Sequence, residues 1–303
     1  MVKFESDRNV PTLSVVVPIT RMSGKLQNLQ TTLQSAGSYP IEIILVHDVQ
    51  DELTQVDLES LVANFPHVNI KLLVGKFGNP GEPRNLGVRE ATGDWICFWD
   101  SDDQPKVEKY FEMIASASKL KAEISVGLLR TVNESTGEFA IHDFHSKTRF
   151  TPLEFGRIPG FTRFAFKSHV VKNVKFPFAT LGEDQVFLMR TNFLDRSICY
   201  FQEVVYDYII DFPGQASANL GNRKKLFTST KLIIKELKNR SACMTLFCYS
   251  ALVRTSLATV KNNPSSILQV FGSLVKPVFE HPGLAISSLL YHLRNRNAIK
   301  REF

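Results

Sequence analysis

Three carboxylates, Asp100, Asp102 and Asp103, crowd into four positions directly after an apolar run; we call them the acidic cluster. Carboxylates packed this closely repel one another, and burial makes their ionisation costly unless a positive charge is present. An oxygen-only set of this kind suits Mg²⁺ or Mn²⁺. If strand geometry continues, Asp100 and Asp102 project to one side and face a single ion. The open alternative is that Asp102 or Asp103 caps a following helix, with Pro105 in its first turn.

The elements that must position this cluster alternate between strand and helix patterns, which favours an α/β fold. Short β-branched runs predict the strands Leu13–Val17, Ile41–Val46, Asn69–Val74, Trp95–Trp99, Ile124–Arg130, Phe161–Phe166, Ile198–Phe201 and Val204–Ile210. Apolar residues at helical spacing predict the helices Leu26–Gln34, Asp51–Asn64, Arg84–Ala91, Pro105–Leu120 and Glu183–Asn192. This alternation is typical of a mostly parallel sheet with crossover helices.

Polar residues stand where the predicted strands end. Ligands of open parallel sheets bind outside the carboxyl ends of the strands. Pro18, Asp48 and Arg84 join the acidic cluster at those ends. The Asp48 carboxylate could accept a hydrogen bond from the N–H of a pyrimidine base. A metal ion bound by the acidic cluster would bridge the oxygens of a diphosphate. Arg84 would add positive charge beside the same diphosphate.

Five short motifs in a fixed order resemble the signature of family-2 glycosyltransferases of the GT-A fold, over about residues 12–217. They are Leu13–Pro18, Ile41–Asp48, Pro83–Gly87, Asp100–Asp103, and Gly182–Asp184 followed by Arg190. Each motif alone is weak, whereas the ordered set is specific. The resemblance implies a Rossmann-like, mostly parallel sheet flanked by helices, and inverting sugar transfer from a nucleotide sugar, usually a UDP-sugar.

The resemblance also implies roles for the residues around the donor. Pro18 and Asp48 would hold the nucleoside, and Arg84 and Asn85 match the family's Arg-Asn element near the donor. Many members have two Asp and then Gly-Ser after the second strand, whereas this chain has His47–Gln50 there.

The same resemblance implies the metal ligands and the base. Asp102 would be the main ligand of Mn²⁺ or Mg²⁺, with Asp100 nearer the ribose and the metal, and Ser101 between them beside the donor. Asp184 would take the proton of the acceptor hydroxyl, with Glu183 beside it. Burial and the neighbouring Glu183 would both raise the pKa of Asp184 toward that task.

Charge is unevenly distributed along the chain. The net charge is +6, yet residues 223–303 hold 14 Lys and Arg against 3 Asp and Glu, and the first 222 residues hold 22 against 27. We therefore predict a catalytic domain at 1–222 and a basic helical region at 223–303, with breaks at Asn262–Pro264 and His281–Gly283. We expect the basic region to contact an anionic membrane or a polyanionic acceptor; the alternative is a solvated helical face.

The composition of the chain also indicates what kind of protein it encodes and where that protein is located. A chain of 303 residues with 44% hydrophobic and 22% charged residues is typical of a globular protein. The first dozen residues lack the apolar run of a signal peptide, and the four cysteines lack metal-type spacing. We expect a cytoplasmic protein, or one peripheral to the inner face of the cell membrane, with no nucleic-acid partner. Ser241–Val260 is strongly apolar but carries Arg254, so a buried or surface-lying helix is favoured over a membrane span.

These observations together predict a metal-dependent inverting glycosyltransferase that acts on a surface glycan, lipid-linked saccharide or polyol-phosphate polymer. One alternative is an inactive GT-A-fold binding protein. The other is a sugar nucleotidyltransferase, whose Gly-rich basic loop Pro18–Lys25 matches only faintly. Two weaker patterns are Gln215–Ser217, where the family closes a loop over the diphosphate, and His142 with His145, which form either a metal pair or a polar loop.

Overall fold

Within the residues that the structure describes, one mixed sheet of nine strands organises the fold. The computed structural model describes residues 12–49, 51–142, 150–158, 160–210 and 226–295. The strands are β1 (Leu13–Ile19), β2 (Ile41–Asp48), β3 (Asn69–Gly75), β4 (Trp95–Phe98), β5 (Gln104–Pro105), β6 (Ile124–Asn133), β7 (Phe139–His142), β8 (Phe164–Lys167) and β9 (Ile198–Ile210). Their order is β3-β2-β1-β4-β8-β6-β9-β5, with β7 paired to β6.

The three longest pairings in this sheet, β1 with β2, β2 with β3 and β6 with β9, are parallel. β1 also pairs with β4 in parallel. The pairings that involve β5, β7 and β8 are antiparallel. The predicted α/β fold with a mostly parallel sheet is therefore confirmed.

Helices cover both faces of the sheet. They are α1 (Gln27–Ala36), α2 (Glu52–Ala63), α3 (Gly81–Glu90), α4 (Val107–Lys119), α5 (Pro152–Arg157), α6 (Ser168–Val171), α7 (Glu183–Thr191), α8 (Leu226–Glu236), α9 (Ala242–Asn262), α10 (Ile267–Glu280) and α11 (Pro282–Arg294). Alternate strand residues point to opposite faces. Val15 and Val17 of β1 pack toward α1, α2 and α4. Val16 packs with Val46 and Phe98 toward α3, α7, α8 and α9.

The segment after the acidic cluster differs from its prediction. Gln104 and Pro105 form the short strand β5 against β9, so α4 begins only at Val107. The start of α4 has no side-chain cap. The alternative in which Asp102 or Asp103 caps this helix is therefore wrong, because the chain must first pair with β9.

Two further predictions are corrected. The predicted strand Phe161–Phe166 is a 3₁₀ turn over Phe161–Arg163 followed by β8. The two strands predicted from Ile198 to Ile210 are one strand, β9, with irregular register against β6. A bulge of this kind interrupts the alternation of apolar residues without ending the strand, which is why the pattern divided in two.

The C-terminal helices share a core with the sheet. Ile233 of α8 and Phe247 and Leu252 of α9 lie in the same buried cluster as Phe98 of β4. By length and composition α9 is apolar enough to cross a membrane, but most of its apolar stretch is buried inside the protein. The boundary predicted at residue 222 lies in 211–225, outside the described residues, and stays a prediction.

Candidate active site

Asp103 fastens the acidic cluster to β9. The Tyr206 hydroxyl donates to Asp103 Oδ2 at 2.8 Å, and the Ile209 amide donates to Asp103 Oδ1 at 2.8 Å. The Asp100 amide in turn donates to the Tyr206 hydroxyl at 2.9 Å. Burial raises the pKa of Asp103 well above its usual range, with neighbouring carboxylates adding to the rise. Asp103 is thus an anchor, which leaves the other two carboxylates of the cluster for chemistry.

Arg84 lies between the acidic cluster and the start of α7. Its Nη2 donates to Asp100 Oδ1 at 2.7 Å, and its Nη1 donates to Glu183 Oε1 at 2.8 Å. The guanidinium also stacks over Phe161 and Phe176, with its carbon 4.9 and 5.6 Å from the ring centroids. Burial alone would lower the pKa of Arg84, but Asp100 and Glu183 raise it, so this residue is a fixed cation.

Close packing of α3 on the sheet places Arg84. A Cβ on Gly87 would lie 2.3 Å from Val16 Cγ1, so only glycine allows α3 to approach β1 this closely. Asn85 exchanges two hydrogen bonds with the backbone of Phe176, at 2.8 and 3.2 Å. The Asn85 amide therefore holds the segment that leads to α7, and its contact with a donor stays a prediction.

Glu183 and Asp184 begin α7 but differ in how accessible their carboxylates are. Glu183 is buried and paired with Arg84, and burial raises its pKa to about 7, with Arg84 opposing the rise. Asp184 is only half-buried, and its Oδ1 accepts from the Gln185 amide at 2.8 Å. Burial raises the pKa of Asp184 as well, against the lowering effect of Arg254. Of the two carboxylates, Asp184 is the more available for proton transfer.

Helix α8 holds both ends of α7. Gly182, which precedes α7, has φ +78°, and a Cβ there would meet Ser229 Oγ at 2.9 Å. The Ser229 hydroxyl donates to the Leu181 carbonyl. At the other end, Arg190 Nε donates to Glu236 Oε1 at 2.9 Å. The C-terminal region thus determines where the acidic start of α7 lies.

Asp48 closes the loop between β3 and α3. Its two carboxylate oxygens accept from the amides of Phe77 and Gly78, at 2.8 and 2.9 Å. His47 is fully buried, and its ring nitrogens have no hydrogen-bond partner among the described residues. Pro18 is half-buried in the neighbouring strand β1. These three residues lie at the carboxyl ends of β1 and β2, as expected, but their contacts with a nucleoside stay predictions.

The oxygen donors at Asp100 and Asp102 fit a divalent cation in their chemistry. Burial raises the pKa of half-buried Asp102 to about 6, with Asp100 adding to the rise and Arg84 opposing it. A further positive charge beside Asp102 would favour its ionised form. Within the described ranges, no group of three or more His, Cys, Asp or Glu is placed to hold a metal ion. Ser101 is buried between the two carboxylates. A bound cation would therefore need further ligands from a substrate and water.

Of the two weaker sequence patterns, the structure describes only His142. The His142 ring lies 2.6 Å from Thr131 Oγ1 at its Nε2, a buried contact between β7 and β6. His145 and Gln215–Ser217 lie outside the described residues.

Sequence reasoning missed two residues of this site. Tyr206 belongs to a strand whose pattern only predicts burial, and its partner Asp103 is distant in sequence. Arg254 of α9 lies near Asp184 and lowers its pKa, and its Nε is buried without a hydrogen-bond partner among the described residues. The sequence signal for Arg254 is a charged residue inside an otherwise apolar helix.

A mostly parallel sheet with carboxylates and an arginine at the carboxyl ends of its strands is typical of α/β proteins that bind a ligand at that edge. A family model described as glycosyl transferase family 2 matches residues 14–181, more than half of the chain. The chain belongs to glycosyl transferase family 2.

Several curated relatives are bacterial glycosyltransferases. The chain is 26% identical over 213 residues to the succinoglycan biosynthesis protein ExoO of Rhizobium meliloti, covering 67% of this chain and 57% of that protein. It is 24% identical over 219 residues to glycosyltransferase GlyA of Streptococcus pneumoniae, covering 65% and 30%. It is also 24% identical over 220 residues to the poly(ribitol-phosphate) beta-glucosyltransferase of Bacillus spizizenii, covering 67% and 33%. The chain thus spans between about a third and just over half of these relatives.

Solved structures share the fold. TarS of Staphylococcus aureus superposes with a TM-score of 0.70 at 18% identity, covering 95% of this chain and 53% of that chain. TarS 1-349 in complex with UDP-GlcNAc gives a TM-score of 0.67 at 20% identity, covering 92% and 79%. A Pyrobaculum calidifontis mannosyltransferase, PcManGT, with GDP-Man and Mn²⁺ gives 0.57 at 14% identity, covering 94% and 86%. These matches confirm the GT-A fold.

Proposed function

We propose that this chain is a metal-dependent inverting glycosyltransferase. It would move a sugar from a UDP-sugar to a hydroxyl of a polyol-phosphate polymer, a surface glycan or a lipid-linked saccharide. The observation that carries the proposal is the double ion pair of Arg84 with Asp100 and Glu183, at 2.7 and 2.8 Å. This double ion pair connects two parts of the site. The loop that contains Asp100 is suited to binding a diphosphate, and the start of α7 is suited to accepting a proton from an acceptor hydroxyl.

The relatives support the substrate classes. One is named for a poly(ribitol-phosphate) acceptor, and one structure of the same fold is in complex with UDP-GlcNAc. In this chain, Pro18 and Asp48 would hold the nucleoside, because Asp48 retains free lone pairs after it accepts the loop amides. Ser101 and Arg84 would lie beside the diphosphate, and Asn85 would support them by fixing the segment at Phe176.

Asp100 and Asp102 would hold Mn²⁺ or Mg²⁺. The ion would supply Lewis-acid stabilisation to the departing diphosphate. Arg84 engages one oxygen of Asp100, so the orientation of this carboxylate is set before any ligand binds. The Asp103–Tyr206 hydrogen bond fixes the same loop from its other side.

Asp184 would take the proton of the acceptor hydroxyl as that oxygen attacks the anomeric carbon. Glu183 is poorly suited to this step because Arg84 holds its carboxylate. Direct displacement with one base inverts the anomeric centre, so an α-linked donor would give a β-linked product.

Two substitutions test the assignment. Asp184→Asn should lower turnover by roughly 10²- to 10⁴-fold while leaving UDP-sugar affinity nearly unchanged. Asp102→Ala should abolish the Mn²⁺-dependent part of UDP binding, measured by calorimetry with Mn²⁺ and then with EDTA. Substantial turnover in Asp184→Asn would show that another group is the base. No UDP binding under either condition would contradict the proposed donor and favour an inactive binding protein.

A further inference from the structure

The helices α10 and α11 present apolar side chains to the outside of the protein. Among the described residues, 18 large hydrophobic side chains are exposed, and ten of them lie in these two helices. They are Ile267, Leu268, Phe271, Val275, Val278, Phe279, Ile286, Leu289, Leu290 and Leu293. We call these ten side chains the outer apolar surface. Such a concentration, including two aromatic rings, is unusual for a surface that faces only water.

Helical periodicity organises the exposed residues of α10 into one stripe. Leu268, Phe271, Val275 and Phe279 follow each other at spacings of three and four residues. Leu268, Phe271 and Phe279 are 82%, 70% and 81% exposed. Val270, on the opposite side of the helix, is buried against the protein. The stripe therefore points away from the core instead of filling a gap in it.

Helix α11 repeats the arrangement. Ile286, Leu289, Leu290 and Leu293 occupy one side at helical spacing and are all exposed. His292 lies on the other side, where its Nε2 is 3.1 Å from Ser250 Oγ of α9. α11 is thus attached to the protein by one face and leaves an apolar face free.

Two basic side chains and one acidic side chain belong to α10 and α11. Lys276 extends from α10 with three quarters of its side chain exposed, and Arg294 ends α11, also exposed. Glu280, 3.8 Å from Lys276, is the one acidic residue in α10 and α11.

We propose that the outer apolar surface docks onto an anionic lipid bilayer, with α10 and α11 lying in the interface. An apolar face on each helix, with one exposed basic residue beside it (Lys276 in α10, Arg294 in α11), matches the chemistry of a bilayer surface that carries anionic headgroups. With 14 and 13 residues, the two helices are too short to span a bilayer, which takes about 20.

A second copy of the chain fits this surface less well. A two-fold dimer brings the same patch of both copies together. Lys276 and Arg294 would then lie between two copies of the same charge, which is unfavourable, whereas anionic headgroups would neutralise both side chains. This inference does not depend on the proposed transferase activity.

Flotation of the full chain with vesicles tests the proposal. We expect binding to vesicles of phosphatidylcholine with phosphatidylglycerol, and much weaker binding to phosphatidylcholine alone. The double variant Phe271→Ser/Phe279→Ser should bind the anionic vesicles more weakly, on the order of tenfold. The variant Lys276→Gln/Arg294→Gln should lose roughly fivefold in vesicle affinity for each charge removed. The loss should be smaller at high salt, because salt screens the attraction to the headgroups.

A matched control removes exposed apolar side chains elsewhere. Leu53 and Leu120 are comparably exposed, at 68% and 69%, and lie outside the C-terminal helices. The variant Leu53→Ser/Leu120→Ser should bind vesicles like the unmodified chain. Absence of vesicle binding by the folded chain would overturn the proposal, as would equal losses in the Phe271/Phe279 and control variants. Self-association that disappears in Phe271→Ser/Phe279→Ser, without vesicle binding, would also overturn it in favour of a second copy.

Discussion

Arg84 and Glu183 are 99 residues apart in sequence and form a buried ion pair at 2.8 Å. The same guanidinium binds Asp100, so one cation holds two segments that the chain order separates. Since Glu183 begins α7 and Asp100 follows β4, this arginine sets the separation between the acidic cluster and the proposed base. The Arg84–Glu183 ion pair therefore positions the start of α7 in addition to neutralising the buried carboxylate of Glu183.

Replacement of Arg84 should destabilise the protein and impair the site. Arg84→Met would leave Glu183 buried without its cation, a loss of about 3–5 kcal/mol in the free energy of unfolding. Arg84→Lys should lose less, because it keeps a positive charge beside the buried carboxylate of Glu183. It should still be less stable than the unmodified chain, because a point charge cannot reach both carboxylates as the fork of a guanidinium does. Urea unfolding and UDP-sugar turnover measure the two effects.

A distant ion pair provides the control for Arg84. Lys71 binds the buried carboxylate of Glu42 at 2.6 Å, away from the site. Lys71→Met should lower stability modestly and leave turnover unchanged. If Arg84→Lys were as stable and active as the unmodified chain, the bridge between Asp100 and Glu183 would have no role.

The backbone at Gly182 should tolerate no side chain. Gly182 has φ +78°, and an added Cβ would also meet Ser229 at 2.9–3.0 Å. Gly182→Ala should cost about 1–2 kcal/mol for the left-handed backbone and at least about 1 kcal/mol more for the contact. It should also lower turnover, because small displacements of a catalytic group are costly.

Substitution of Gly137 separates the cost of the left-handed backbone from the cost of the Ser229 contact. The φ of Gly137 is +73°, but no atom lies within 4 Å of the position of a Cβ. Gly137→Ala should therefore show only the backbone cost, without loss of turnover. Equal effects of the two substitutions on thermal unfolding would mean that the Ser229 contact relaxes freely.

Local patterns account for the elements and the strand ends. Runs such as Ile41–Val46 are apolar and β-branched, so their position and type follow from periodicity alone. Asp48 and Arg84 stand at or just after strand ends, where a ligand site is expected, whereas Asp184 is indicated only by the family resemblance. Their roles in donor binding and catalysis remain predictions.

Long-range contacts account for what the patterns could not predict. The two residues of β5 form a strand only because β9, about a hundred positions later, offers them a partner. The bond between Asp103 and Tyr206 has the same origin. The attachment of α8 to α7 depends on Ser229, a residue with no distinctive local pattern. Such contacts are tertiary, and a single sequence carries no local signal for them.

Tyr206 should matter for ligand binding beyond its contribution to stability. Tyr206→Phe removes the donor to Asp103 and the acceptor of the Asp100 amide, which should cost about 1–3 kcal/mol of unfolding free energy. Because the acidic cluster is then held less firmly, Mn²⁺-dependent UDP affinity should fall as well. Tyr249→Phe is the matched control, since Tyr249 is also buried and donates to the Pro277 carbonyl at 2.6 Å. Tyr249→Phe should lower stability alone; an unchanged UDP affinity in Tyr206→Phe would contradict the role of the tyrosine as an anchor.

Arg254 should set the acidic limit of activity. Burial raises the pKa of Asp184, Arg254 and Arg84 lower it, and Asp100 raises it. The ionised carboxylate is the form that accepts a proton, so turnover should decline as the pH falls through the pKa of Asp184. Arg254→Met removes a lowering influence, so the pKa should rise and the acidic limb of the pH–kcat profile should move to higher pH. Arg254→Lys keeps the charge and should keep the limb near its original position. A shift of equal size in both variants would indicate that Arg254 acts through packing of α9, and no shift in either would mean that its charge does not reach the proposed base.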